Sequence, residues 1–142
     1  MEIILAENHG FCYGVKRAVE MANEAADSDG KSYTLGPIIH NPQVVGRLES
    51  KGVSPIQEVA DIDEGTMIIR SHGVGPAIYE EAEEKGLNIL DATCPHVKKA
   101  QQDAKSVIED GMTLVILGEK NHPEVKSINL WANNKGIIIE DE

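Results

Sequence analysis

Short apolar runs recur along the 142-residue chain, each followed by a polar loop and then by a stretch whose apolar residues fall at helical spacing. Glu2-Ile3-Ile4-Leu5-Ala6 reads as a strand. Beyond Cys12 lies a helix with Val15, Ala18, Val19, Ala22 and Ala25 on one stripe. The unit repeats at Ser32-Tyr33-Thr34-Leu35, which leads through His40 to a helix ending near Gly52. Asn41 is its expected cap, and Pro42 fits the first helical position. Met67-Ile68-Ile69 leads through His72 to a helix opened by Pro76 and closed by Gly86. Asn88-Ile89-Leu90 leads through Cys94 to a helix with Val97, Ala100, Ala104, Val107 and Ile108 on one face. Thr113 to Leu117 leads through His122 to a short helix near Trp131, and Gly136 to Ile139 reads as a final strand. Asp27 to Gly30 and Ile56 to Glu64 read as polar connections.

Strands alternating with helices predict an α/β fold with largely parallel sheets. Aromatic residues make up only 4% of the chain, which leaves the core to Ile, Val, Leu and Ala, the usual filling of covered parallel strands. In such folds ligands bind beyond the carboxyl ends of the strands, so Cys12, His40, His72, Cys94 and His122 are expected to converge on one cleft. A boundary near Thr93 divides the chain into a first module over 1–93 and the start of a second over 94–142.

The formal charge of −11 argues against nucleic acid or an anionic membrane surface as partner, because both attract basic patches. Without a signal peptide or a long apolar run, the chain reads as cytoplasmic. Two cysteines far apart in such a chain do not form a disulfide framework, and the bland reading is two buried, inert thiols. Both, however, sit just ahead of a helix, where unpaired N–H groups and the positive end of the macrodipole attract the charge of a thiolate ligand. One outcome is a Cys2His2 zinc site made with two of His40, His72 and His122. Another is a module that folds and associates without chemistry of its own.

Four segments carry a more specific signal. Gly10-Phe11-Cys12-x-Gly14-Val15-x-Arg17-Ala18, Arg70-Ser71-His72-Gly73, Asp91-Ala92-Thr93-Cys94-Pro95-x-Val97 and His122-Pro123-Glu124-Val125 stand in an order that resembles the 4-hydroxy-3-methylbut-2-enyl diphosphate reductase family. That is the iron-sulfur enzyme ending the methylerythritol phosphate route to isoprenoids. The resemblance implies a three-module trefoil around a cavity, of which this chain supplies about one and a half modules. It implies a 4Fe-4S cluster with Cys12 and Cys94 as two of three thiolate ligands; the third cysteine would lie in a third module missing from this chain.

It further implies that His40, His72 and His122 bind an allylic diphosphate and that Glu124 and His122 deliver protons. An external donor such as ferredoxin or flavodoxin would supply electrons, and isopentenyl and dimethylallyl diphosphate would be the products. A chain with two cysteines is expected to be inactive alone. Arg17, Lys98 and Lys99 read as solvated helix residues, and Ser127 stands where the family usually has glycine.

Overall fold

The computed structural model describes residues 2–7, 9–28 and 30–141. Four parallel strands, β1 (Ser32–Leu35), β2 (Val53–Ile56), β3 (Thr66–Ile69) and β4 (Asn88–Asp91), form a sheet in the order β2-β1-β3-β4. Helices α1 (Tyr13–Ala26) and α2 (Pro42–Ser50) cover one face, while α3 (Pro76–Glu84) and a short 3-10 turn over Val59–Asp61 cover the other. Strand β3 shows why. Ile68 joins Ala18, Ala22, Val44 and Leu48 on the first face, whereas Met67 and Ile69 join Val59, Ala82 and Leu87 on the second, as the two-residue period of a strand demands. The predicted α/β architecture with parallel strands is the one observed.

The remaining chain forms α4 (Pro95–Glu109), β5 (Val115–Leu117), α5 (Pro123–Trp131) and β6 (Ile137–Ile139). Strands β5 and β6 pair in parallel as a separate two-stranded sheet, and α4 packs on α5. Val115, Leu117, Ile137 and Ile139 of this small sheet remain exposed. No helix among the described residues is long and apolar enough to cross a membrane.

Two expectations are corrected. Glu2 to Ala6 forms no strand: the segment has no partner in either sheet, and Ile3, Ile4 and Leu5 lie open to solvent. Conversely, Val53 to Ile56 is a strand, although Ile56 had read as the start of a polar connection. Pro55 obscured it. Proline lacks the N–H of a central strand, and β2 accordingly lies at the sheet edge.

Candidate functional site

Three loops at the carboxyl ends of strands converge. Ile38 and Ile39, both buried, anchor the loop after β1 and leave His40 exposed at its tip. Ser71 ties the next loop to it, its backbone N and its Oγ both donating to the Ile38 carbonyl at 3.3 Å. The third loop arrives with α5. Ser127 Oγ donates to the His72 carbonyl at 2.7 Å and to Glu124 O at 3.0 Å, and Gln101 Nε2 from α4 donates to Ser127 at 3.2 Å. Trp131 Nε1 makes a second tie to Val74 O at 2.8 Å. Glycine at position 75 is required by this approach, since a Cβ there would lie 2.8 Å from Leu130.

These ties bring His40, His72 and His122 together. Their ring centroids are 4.5 Å apart for His40 and His72, 5.9 Å for His40 and His122, and 5.7 Å for His72 and His122. One ring nitrogen from each lies within 4.8 Å of the others. Burial first, then the fields of His40, Arg70 and His122, push His72 down to about 4, so it is neutral near pH 7. Among the described residues its buried Nδ1 has no hydrogen-bond partner, an unmet polar atom that a ligand could satisfy.

His122 decides what the triad suits. Its Nδ1 accepts the Glu124 backbone N–H at 3.2 Å, capping α5. A neutral ring that accepts at Nδ1 carries its proton on Nε2, which is then a donor. Such a nitrogen offers a hydrogen to an anionic oxygen, and would ligate a metal only if the ring gave up its cap bond. Cys12 and Cys94 also stay outside the group of three histidines, so the Cys2His2 zinc arrangement does not assemble among the described residues.

The cysteines occupy the starts of α1 and α4 as N-cap residues, with no side-chain cap bond. Cys12 is exposed and Cys94 half-buried, so neither is the inert core thiol of the bland reading. The Cys94 N–H donates to Ser71 O at 2.9 Å, which sets its loop beside that of His72. Cys94 also lies against the first turn of α1. A Cβ on Gly14 would fall 2.5 Å from Cys94 Sγ, so the missing side chain lets the Cys94 thiol pack closely against the first turn of α1.

The matching family model is that of the LytB protein, over residues 3–142. The chain belongs to the LytB family. Curated relatives called 4-hydroxy-3-methylbut-2-enyl diphosphate reductase include one from Geobacter sulfurreducens, 54% identical over 139 residues, covering 98% of this chain and 49% of that protein. One from Geotalea uraniireducens is 52% identical with the same coverage. A solved (E)-4-hydroxy-3-methyl-but-2-enyl diphosphate reductase superposes with a TM-score of 0.84 at 49% identity, covering 98% of this chain and 51% of that one. The Plasmodium falciparum reductase gives 0.90 at 33% identity, covering 95% and 43%. The chain thus spans about half the length of the curated relatives it matches.

Several residues that hold this LytB site together escaped the sequence reading. Arg17 is not merely solvated: its guanidinium donates to the carbonyls of Thr93 at 3.2 Å and Asp91 at 3.4 Å, fastening α1 to the Cys94 loop. Lys98 pairs with Asp91, whose carboxylate also accepts from Thr93 N and Tyr79 Oη. Burial pushes Asp91 upward, but the hydrogen bonds from Lys98 and Thr93 outweigh it and hold the carboxyl below its usual range. Lys99 pairs with Asp103 on the exposed face of α4, as expected of a solvated helix residue. The arginine signal was visible in retrospect, since Arg17 stands about one turn after Gly14, on the same face of α1.

The neutral His72 has a consequence for stability. Its folded value lies below the ordinary 6.5, so on acidification the unfolded chain takes up the proton first. Its contribution is complete above pH 6.5 and is lost as pH falls toward about 4. Over that window the wild-type midpoint of urea unfolding is therefore expected to fall more steeply than that of His72→Gln. Parallel pH profiles for the two proteins would remove the half-buried neutral His72 from the account.

Proposed function

We propose that this chain supplies the diphosphate-binding and proton-delivering portion of a 4-hydroxy-3-methylbut-2-enyl diphosphate reductase. The observation that carries the reading is the convergence of His40, His72 and His122, with Nε2 of His122 left as a donor. A diphosphate needs several donors directed at one point, and neutral or protonated imidazoles meet that need without a metal. Names of relatives about half identical to this chain support the same substrate class.

The reaction replaces a C–O bond by a C–H bond: an allylic alcohol plus two electrons and two protons gives an alkene and water. Electrons come one at a time from an external carrier such as ferredoxin or flavodoxin. A bound 4Fe-4S cluster would supply them to the substrate and offer an iron to its oxygen. Cys12 and Cys94 fit as two of its ligands, because both thiols are accessible at helix starts and Gly14 lets the Cys94 thiol approach the turn that follows Cys12. The third thiolate would come from outside this chain, which holds two cysteines.

His40, His72 and His122 would orient the diphosphate so that the hydroxyl points away from them. Glu124, half-buried in the first turn of α5 two positions after His122, would give the departing oxygen its proton. Isopentenyl and dimethylallyl diphosphate are the products that follow. On this reading residues 1–93 form the first module and 94–142 begin a second, and the Ser127 bridge fixes one against the other.

Pyrophosphate tests the site without the cluster. It is expected to bind the 142-residue protein, and His72→Ala is expected to weaken it by ~1–3 kcal/mol, the range for a lost charge-assisted hydrogen bond. Titration calorimetry on both proteins measures the difference. Equal affinities would remove His72 from the anion site.

A further inference from the structure

A cavity of about 320 Å³ opens between the carboxyl ends of the four-stranded sheet and α5, behind the histidine triad. Arg70 and Lys126 line it, with the carboxamides of Gln57 and Asn121 and the apolar side chains of Ile78 and Leu130. No acidic residue among the described ones does. The chain has 24 acidic side chains against 13 basic ones, so a half-buried arginine placed for stability alone would ordinarily meet a carboxylate. Arg70 meets none among the described residues: no ion pair or hydrogen bond holds its guanidinium, and its Nε is buried without an acceptor. Burial alone accordingly pushes it below its ordinary value, with nothing opposing. Gly36, whose φ of +72° favours glycine, leaves room beside the guanidinium: a Cβ there would lie 2.7 Å from Arg70 Nη1.

We propose that this cavity is a second anion site, which takes a small phosphate monoester with a short apolar group. The phosphate would sit between Arg70 and Lys126, with Gln57 and Asn121 donating to its remaining oxygens. The apolar group would lie against Ile78 and Leu130. None of the three histidines lines the cavity, although Gly73 and Pro123, the chain neighbours of His72 and His122, do. The proposal therefore stands independently of the reductase reading.

Titration of the 142-residue protein with 3-methylbutyl phosphate and with inorganic phosphate, followed by amide NMR, tests it. Shifts are expected at Gly73, Gly75 and Lys126, with the alkyl ester binding several-fold more tightly than phosphate. Arg70→Gln should weaken the ester at least about tenfold, equivalent to one lost charge-assisted contact. His72→Ala should change it less than about twofold, as expected of a separate site. Lys126 is exposed, so Lys126→Gln keeps the fold and should weaken binding about threefold even if Arg70→Gln fails to fold. Unchanged affinity in Lys126→Gln overturns the proposal. So does a loss in His72→Ala as large as that in Arg70→Gln, which would mean one shared histidine site, or the absence of binding by either probe at millimolar concentration.

Discussion

Glu124→Gln, in a chain extended through a third cysteine-bearing module, is expected to bind cluster and substrate normally while turnover falls by about 10²-fold or more. The amide keeps the size of the carboxyl and loses its exchangeable proton. A competing role is available to the same residue. A carboxylate in the first turn of α5 is stabilised by the helix dipole by ~0.3–1 kcal/mol, and a purely structural Glu124 would show only that loss. The two readings diverge in opposite observables. Proton delivery predicts a slow single turnover with a nearly unchanged melting temperature; dipole stabilisation predicts a lower melting temperature with normal turnover. A near-normal rate ends the assignment.

Gly14→Val should lower both the unfolding free energy and, in the extended chain, the iron bound after anaerobic reconstitution. Helix propensity alone points the other way, because valine is better than glycine inside a helix by a few tenths of a kcal/mol. The new Cβ, however, falls 2.5 Å from Cys94 Sγ and 3.0 Å from its Cβ. Overpacking of that kind costs ~1–3 kcal/mol and wins. Relief requires the Cys94 thiol to turn away or α1 to shift, and either movement alters how the Cys94 thiol is held against the turn that follows Cys12. Chemical denaturation and iron analysis read the two effects. An unchanged midpoint with full iron content would mean that the two cysteine turns are less closely packed than described.

The residues explain which of these features the sequence carried openly. Asn41 and Pro42 announced the start of α2, and the Asn41 side chain accepts the Val44 N–H at 3.1 Å as such a cap should. Strands β3 and β4 were legible as short apolar runs with polar ends, and β1 by its β-favouring Tyr33 and Thr34 ahead of a glycine. The N-terminal run has the same composition and forms no strand, because a strand is defined by its neighbour and composition does not supply one.

The candidate site divides in the same way. Histidines and cysteines after strands can be read from topology, so their gathering at one end of the sheet was foreseeable. The groups that set their spacing were not. Gln101 lies on the expected apolar stripe of α4, yet it is buried because Ser127 accepts its hydrogen bond, a pairing of residues 26 positions apart that no local pattern records. Arg70 was equally hidden: its lack of an acidic partner is a property of the folded surroundings.

The small β5–β6 sheet, with Val115, Leu117, Ile137 and Ile139 uncovered, bears on how the molecule behaves in a crowded solution. Two short strands with an open apolar face invite other copies to stack or pair. What opposes this is the charge of −11 on every copy. Such repulsion reaches ~30 Å in 0.01 M salt but only ~8 Å at 0.15 M, so ionic strength sets whether like molecules approach closely enough for those faces to meet.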